Sequence, residues 1–181
     1  MTREQALKAV KDNCGNRNLL KHMLATEAVM RGLAERLGED AESWGLAGLL
    51  HDLDYEETVD DPDRHGLVSA DKLCEMDVSD EIVHAVKAHN EHAPLETAMD
   101  RALYASDPVT GLIVAAALMH PDKRLSGLDV DFVLRRFKEK RFAAGANREQ
   151  IASSSELGLS LEEFIGIALR AMQGISDDLG L

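Results

Sequence analysis

The chain contains few residues that break helices and few bulky aromatic side chains. It has four prolines, 4% aromatic residues and 45% apolar residues, the last rich in alanine and leucine. This composition favours helices over a sheet. At 181 residues the chain is long enough to bury a substantial core. We therefore predict an all-α protein of one domain, or of one domain with an appendage.

Cysteines and long hydrophobic runs are also scarce. The two cysteines, Cys14 and Cys74, form no CxxC pair, so we expect reduced residues rather than a disulfide. The longest apolar run, Gly111 to Met119, is far too short to cross a bilayer, and nothing resembles a signal peptide. We therefore expect a cytoplasmic protein with no membrane partner.

Positive charge is in deficit. The chain has 20 Lys and Arg residues and 33 Asp and Glu residues, which gives a formal net charge of −13. Binding a nucleic acid duplex needs a basic footprint, so we predict no such partner. A small anionic substrate would need metal ions or a local basic cluster to reverse the field where it binds.

One basic cluster is present, between Pro121 and Arg148. One interpretation is a lid whose Lys123, Arg124 or Arg141 side chain holds a phosphate. The alternative is an amphipathic helix that turns a cationic face to solvent. Both interpretations stay open at this point.

Apolar periodicity predicts a series of helices. They cover Thr2 to Asp12, Leu19 to Gly38, Ala41 to Asp52, His65 to Met76, a stretch from Ser79 through His89, Leu95 to Ala105, Val109 to Met119, and Ser160 to about Gly174. The predicted hinge Ala105 to Pro108 divides two of them, with Asp107 as a helix cap. Ser160 and Glu163 are predicted to form a capping box.

The segment from 44 to 57, WGLAGLLHDLDYEE, ends an apolar helical run with His51 and Asp52. An imidazole and a carboxylate on consecutive residues can bind one divalent cation. Two ligands do not make a site, so further ligands must come from other helices. Four candidates lie on inward faces or at helix ends, namely His22, His65, His89 and Asp107. Each alone has a plainer interpretation, because a lone inward histidine is usually a buried residue bonded to a carbonyl oxygen.

His84 and the acidic loop after the pair are less informative. His84 lies about 200° around its helix from Ile82 and is expected to be exposed, whereas His89 shares the face of Ile82. In the loop from Leu53 to Arg64, Asp54 and Glu56 are candidates for orienting a metal-bound group or accepting a proton. Charge runs of this kind are more often a solvated surface.

Taken in order, His22, the pair His51 and Asp52, and Asp107 resemble the ligands of the HD-domain superfamily of metal-dependent phosphohydrolases. The resemblance is carried by GLLHDLDYE, by KHML, DRHG and KAHN around three other histidines, and by LYASDPVTGLI. It covers roughly residues 17 to 119, with weaker similarity continuing into RFAAGANRE. The family's HDIG continuation is changed here to His51-Asp52-Leu53-Asp54, and the GYP signature of the cyclic-dinucleotide enzymes is absent.

The resemblance implies both a ligand set and an architecture. His22, His51, Asp52 and Asp107 would hold a first metal. His65 and His89 match the extra histidines of branches with a second metal, with Asp52 bridging the two ions. The implied fold is an HD-type helical bundle over residues 1–120 and a helical extension over 121–181 packed on the same core.

The function implied is hydrolysis of a small phosphate ester or anhydride, such as a nucleotide, by metal-activated water. Asp52, Asp54 and Glu56 are the candidate catalytic carboxylates. Four histidines favour Mn or Fe, with Co, Ni, Zn and Mg as alternatives. A non-catalytic metal-binding HD scaffold for signalling or assembly is the main alternative, and a homo-oligomer is compatible with either. A helical core with incidental histidines is the third interpretation.

Overall fold

The computed structural model covers residues 1–181 and contains eleven α-helices and no β-strand, so the predicted all-α fold is confirmed. The helices are α1 (Arg3–Asn13), α2 (Arg17–Leu37), α3 (Ala41–Leu50), α4 (Tyr55–Thr58), α5 (Leu67–Glu75), α6 (Asp80–His89), α7 (Ala98–Met119), α8 (Val130–Lys138), α9 (Arg148–Ala152), α10 (Leu161–Gly174) and α11 (Ser176–Leu179). Short 3₁₀ turns lie at Pro62–Arg64, Leu125–Gly127 and Ser153–Leu157.

Capping side chains define the ends of the first two helices. Thr2 and Gln5 form a capping box at the start of α1. Asn16 accepts the backbone N–H groups of Asn18 and Leu19 and so begins α2. Gly38 ends α2 in the left-handed conformation, at φ 79°.

The central helix is α2, which packs against α3, α7 and α10. Its apolar face belongs to one cluster of 44 buried hydrophobic residues. The cluster also includes Val133 of α8 and Phe164 of α10, so the region after residue 120 shares the core of the region before it. Both predicted segments therefore pack around α2 and α7.

The predicted hinge at Ala105 to Pro108 is wrong, because α7 runs unbroken from Ala98 to Met119 with Pro108 inside it. An internal proline removes one main-chain hydrogen bond and crowds the preceding turn. Here Leu103 and Val109, on either side of the proline, are completely buried in the core and hold the helix together. Asp107 is consequently not a helix cap, and its side chain is free for another partner.

Helix α7 is also the one helix whose length and composition would allow it to cross a membrane. Within the fold, 56% of that stretch is buried. A buried core helix meets the same criterion, so this feature is weak evidence for a membrane.

The predicted capping box at α10 is only half present. Ser160 accepts the backbone N–H of Glu163 at 3.1 Å. The Glu163 carboxylate does not return to Ser160 but pairs with Arg36 of α2 at 2.7 Å. A cross-helix partner therefore replaces the local one.

Candidate metal centre

The structure brings together all six side chains proposed as metal ligands, from five different parts of the chain. In each of the four histidines, Nε2 points into the cluster. The Nε2 atoms of His22 and His51 are 3.2 Å apart, and those of His65 and His89 are 3.3 Å apart. Four imidazoles with converging nitrogens are a donor arrangement suited to transition metals.

The opposite nitrogen of each imidazole, Nδ1, is held by a partner outside the cluster. These partners are the Thr110 hydroxyl for His22 at 3.0 Å, the Gly48 carbonyl for His51 at 2.9 Å, the Asp54 carboxylate for His65 at 2.9 Å, and the Val86 carbonyl for His89 at 2.5 Å. Hydrogen bonds of this kind fix the ring orientation and leave Nε2 available to a metal. The rings are therefore oriented for ligation by the fold itself.

Asp52 lies between the imidazoles. Its Oδ1 is 3.3 Å from Nε2 of both His51 and His65, and its Oδ2 is 3.5 Å from Nε2 of His22. Asp107 reaches one end of the cluster, with Oδ1 3.1 Å from Nε2 of His22. Asp52 thus has the position expected of a carboxylate shared by two ions.

Two overlapping sets of donors each fall within 4.8 Å of one another. One set is His22, His51 and Asp107, and the other is His51, Asp52 and His89. A divalent cation bound by nitrogen and oxygen ligands at about 2 Å requires donors spaced in this way. The residues present therefore fit one or two transition-metal ions.

The electrostatics of the cluster also suit a cation. Burial disfavours a charged His51 imidazole, but Asp52 and Asp107 outweigh burial and raise the pKa of His51 to about 9. The pKa of His65 is raised to about 10, because Asp52 and Asp54 likewise outweigh burial. Burial is similarly overcome at Asp52, where the surrounding imidazoles hold the pKa well below its usual range. Two ionised carboxylates in a largely buried cluster favour positive charge there, either protons on the imidazoles or divalent ions that displace those protons.

Asp54 is completely buried behind His65 and is fully engaged there. Its Oδ1 accepts from His65 Nδ1, and its Oδ2 accepts the backbone N–H groups of Gly66 and Ser69, each at 2.8 Å. Hydrogen bonds to the ionised form explain why the pKa of Asp54 is lowered despite burial. Of the two roles predicted for Asp54, the geometry favours orienting a ligand over accepting a proton.

Glu56 does not reach the cluster, which corrects its predicted place near the reacting groups. Its carboxylate accepts the backbone N–H groups of Gly15 and Asn16, at 3.2 and 2.6 Å. Successive helical residues are about 100° apart, so α4 directs Asp54 and Glu56 to opposite sides. Glu56 therefore joins α4 to the turn between α1 and α2.

The basic residues proposed as phosphate ligands do not all lie near the cluster. Lys123 and Arg124 follow the end of α7, and Met119 is about 18 Å along that helix from Asp107 at 1.5 Å per residue. The structure therefore separates these two side chains from the cluster. Arg141 is exposed and lies two residues before Ala143, which borders a cavity shared with His22 and Asp107.

Several residues that contact the site were not found from sequence. Thr110 lies one turn after Asp107 on α7, and this spacing of three residues is the feature from which its place near the site could have been predicted. The Tyr55 ring packs edge-on against His65 with centroids 5.5 Å apart, and nothing in the sequence indicated that contact.

His84 is only partly exposed, because its Nδ1 lies 3.1 Å from the fully buried Asp100 of α7. The prediction that His84 faces outward is thus only partly right.

The fold and the cluster together define a helical protein with a histidine and aspartate metal centre. A family model described as "HD domain" matches residues 19–118. The chain therefore belongs to the HD domain family, a family of metal-dependent phosphohydrolases.

Curated relatives of the chain share the name Ribonuclease Y. The chain is 35% identical over 100 residues to Ribonuclease Y of Nitratidesulfovibrio vulgaris (strain DP4), an alignment that covers 53% of the chain and 18% of the relative. With Ribonuclease Y of Lawsonia intracellularis it is 31% identical over 102 residues, or 56% and 20% of the two chains. With that of Desulfotalea psychrophila it is 26% identical over 163 residues, or 81% and 31%. The chain thus spans less than a third of the length of these relatives.

Proposed function

We propose that this protein is a metal-dependent phosphohydrolase that cleaves a small phosphate ester or anhydride, such as a nucleotide. One observation carries the proposal, namely that all six candidate ligands have their donor atoms in one cluster. The alternative of a non-catalytic scaffold has less support, because a centre used only for assembly does not need every ligand in place.

The chain's own residues would divide the work between holding and orienting. His22, His51 and Asp107 would hold one ion, His65 and His89 the other, and Asp52 would contact both. Bound ions of this kind supply a hydroxide near neutral pH and neutralise the oxygens that gain charge in the reaction. Asp54 keeps Nε2 of His65 directed into the cluster, and Thr110 does the same for His22.

The proposed ions are Mn or Fe, since imidazole nitrogens with carboxylates suit these metals better than Mg. The proposed substrate is small because the chain is strongly acidic and lacks a broad basic footprint for a duplex. The relation to Ribonuclease Y supports ribonucleotide phosphodiesters as the first substrates to test.

The test is metal content and hydrolysis in the same preparations. Protein purified without chelator should contain one or two transition-metal ions per chain by elemental analysis. With Mn it should hydrolyse bis(p-nitrophenyl) phosphate or a member of a panel of nucleotides and dinucleotides. His51→Ala and Asp52→Ala should lose metal and activity together.

The matched control is His92→Ala, which removes an exposed histidine outside the cluster. It should keep both metal and turnover. Retained turnover in His51→Ala or Asp52→Ala would reject the proposed mechanism. Stoichiometric metal without hydrolysis of any member of the panel would favour the scaffold.

A further inference from the structure

The segment between α8 and α9 is organised by a single side chain, that of Arg148. Its guanidinium donates to five main-chain carbonyl oxygens at 2.5 to 3.5 Å, those of Phe137, Glu139, Phe142, Ala143 and Ala146. The guanidinium group also lies 5.6 Å from the centre of the Phe137 ring. One arginine therefore bonds four of the nine carbonyl groups between α8 and α9, together with that of Phe137 in α8.

Because the carbonyl groups turn toward Arg148, several N–H groups of the segment are left without main-chain partners. The N–H groups of Ala143, Ala144 and Gly145 donate to no backbone oxygen. Ala143 has φ 44°, in the left-handed region that non-glycine residues rarely adopt. Successive N–H groups around a left-handed residue form a concave site that binds anions.

This segment borders the metal centre. A cavity of about 330 Å³ is lined by Ala143, Gly145 and Ala146 on one side and by His22 and Asp107 on the other. Two of its lining residues are therefore candidate metal ligands. Strained backbone of the kind seen at Ala143 is found preferentially at sites that bind ligands.

The charge around the segment also favours an anion. Arg148 donates to carbonyl groups of the same segment, and Lys140 and Arg141 are exposed basic side chains just before Ala143. The one carboxylate lining the cavity is that of Asp107, which already contacts His22 at 3.1 Å. With Asp107 bound to a cation, the cavity lining would present no unpaired carboxylate to an anion.

We propose that the N–H groups of Ala143, Ala144 and Gly145 bind a second phosphate group of the substrate, one that is not cleaved. The proposal rests on the proposed function, because the cleaved phosphate would lie at the metal centre. It makes the preferred substrate one with two phosphate groups, one at the metal centre and one at this segment. Arg148 is a positioning residue here, since it acts by shaping the segment and does not contact the phosphate.

The direct test is the amide spectrum of ¹⁵N-labelled protein loaded with Zn²⁺, which suits imidazole ligands and keeps the sample diamagnetic, on addition of inorganic phosphate. Saturable shifts of the Ala143, Ala144 and Gly145 amides would support the proposal. Shifts confined to residues around the metal ligands, or no shifts at all, would overturn it. This measurement does not require turnover.

Two replacements of Gly145 test the contribution of its N–H group. Gly145→Pro removes the donor, whereas Gly145→Ala keeps it and adds a methyl group that meets nothing within 4 Å. We expect phosphate affinity to fall about tenfold in Gly145→Pro, since a hydrogen bond to a charged group is of that order. It should change less than threefold in Gly145→Ala. Equal affinities in the two variants would contradict the assignment.

Turnover provides an independent test, in which KM and kcat are compared within two pairs of substrates. One pair is a dinucleotide with and without a 5′-phosphate, and the other is a nucleoside diphosphate and the corresponding monophosphate. The second phosphate should lower KM in the wild type with little change in kcat. Arg148→Lys should lose this difference in KM, because an ammonium group cannot bond five carbonyls in a fork. If the second phosphate did not change the KM of the wild type, the inference would be overturned. If none of these substrates were hydrolysed, the proposed function would be contradicted, and the amide shifts alone would test the inference.

Discussion

Gly48 of α3 lies directly against the backbone of Thr26 in α2, so closely that a Cβ atom at position 48 would be 2.7 Å from the Thr26 carbonyl oxygen. The contact lies one turn from each of two clustered imidazoles, since His22 precedes Thr26 by four residues and His51 follows Gly48 by three. Only glycine permits the two helices to approach in this way. The separation of 3.2 Å between the two Nε2 atoms therefore depends on a residue with no side chain.

We predict that Gly48→Ala lowers both stability and metal binding. The added methyl group would have to displace main-chain atoms rather than a flexible side chain, and overpacking of this kind costs about 1–3 kcal/mol. Urea unfolding should show the loss, and metal titration should show weaker binding because His51 moves away from His22. The control is Gly174→Ala near the end of α10, where a Cβ meets nothing within 4 Å and stability should not fall. Unchanged unfolding in Gly48→Ala would contradict the prediction.

A second prediction concerns the carboxylate behind His65. Asp54→Asn keeps the shape of the side chain but removes the charge that holds His65 Nδ1 and the N–H groups of Gly66 and Ser69. Loss of such an outer partner costs about 10-fold to 100-fold in metal affinity. Isothermal titration with Mn should show this loss in a protein that remains folded by circular dichroism.

Asp63→Asn is the matched control for Asp54→Asn, because Asp63 is an exposed acid of the same loop. It should bind Mn as the wild type does. If the two variants bound equally well, the role of Asp54 in orienting His65 would be excluded.

Apolar spacing was sufficient to predict most of the long helices, whereas the order of the ligands was implied by the resemblance to the HD-domain superfamily. Apolar spacing placed His89 on the face of Ile82, and the structure buries both residues. It was not sufficient to distinguish Asp54 from Glu56, since two acids in one loop look alike until α4 turns them apart. Nor did it predict that α7 continues through Pro108, because tertiary packing of Leu103 and Val109 overrides the local penalty.

The role of Arg148 shows a second limit of prediction from the sequence. An arginine in a basic cluster suggests a solvated side chain or a phosphate ligand. Here it bonds the carbonyl groups of the preceding segment, which requires that segment to curl around it. No periodicity marks such a contact, because it depends on the path of an irregular segment.

A third prediction is the pH dependence of the Glu56 contact. Hydrogen bonds from the backbone N–H groups of Asn16 and Gly15 lower the pKa of Glu56 below its usual value. Its contribution to stability is therefore fully present above the unfolded pKa, about 4.3, and is lost as the pH falls through the lower folded pKa. Glu56→Gln should lower the melting temperature at pH 7, and the difference should shrink as the pH falls below about 4.

The same variant separates structure from chemistry at this position. Because the Glu56 carboxylate faces the turn between α1 and α2, Glu56→Gln should bind Mn with wild-type stoichiometry. A large loss of metal or of turnover in this variant would show that Glu56 acts at the metal centre and would contradict the structural role assigned to it.

A final prediction concerns metal removal. A ligand that binds only the folded state raises the free energy of unfolding, by about 2.7 kcal/mol at a concentration 100 times its Kd. Adding Mn to chelator-treated wild-type protein should therefore raise the melting temperature in a concentration-dependent way. His51→Ala should respond much less, because it removes an imidazole that belongs to both donor sets. The control, His92→Ala, should respond as the wild type does. If Mn raised the melting temperature of His51→Ala as much as that of the wild type, the stabilising ion would lie outside this cluster.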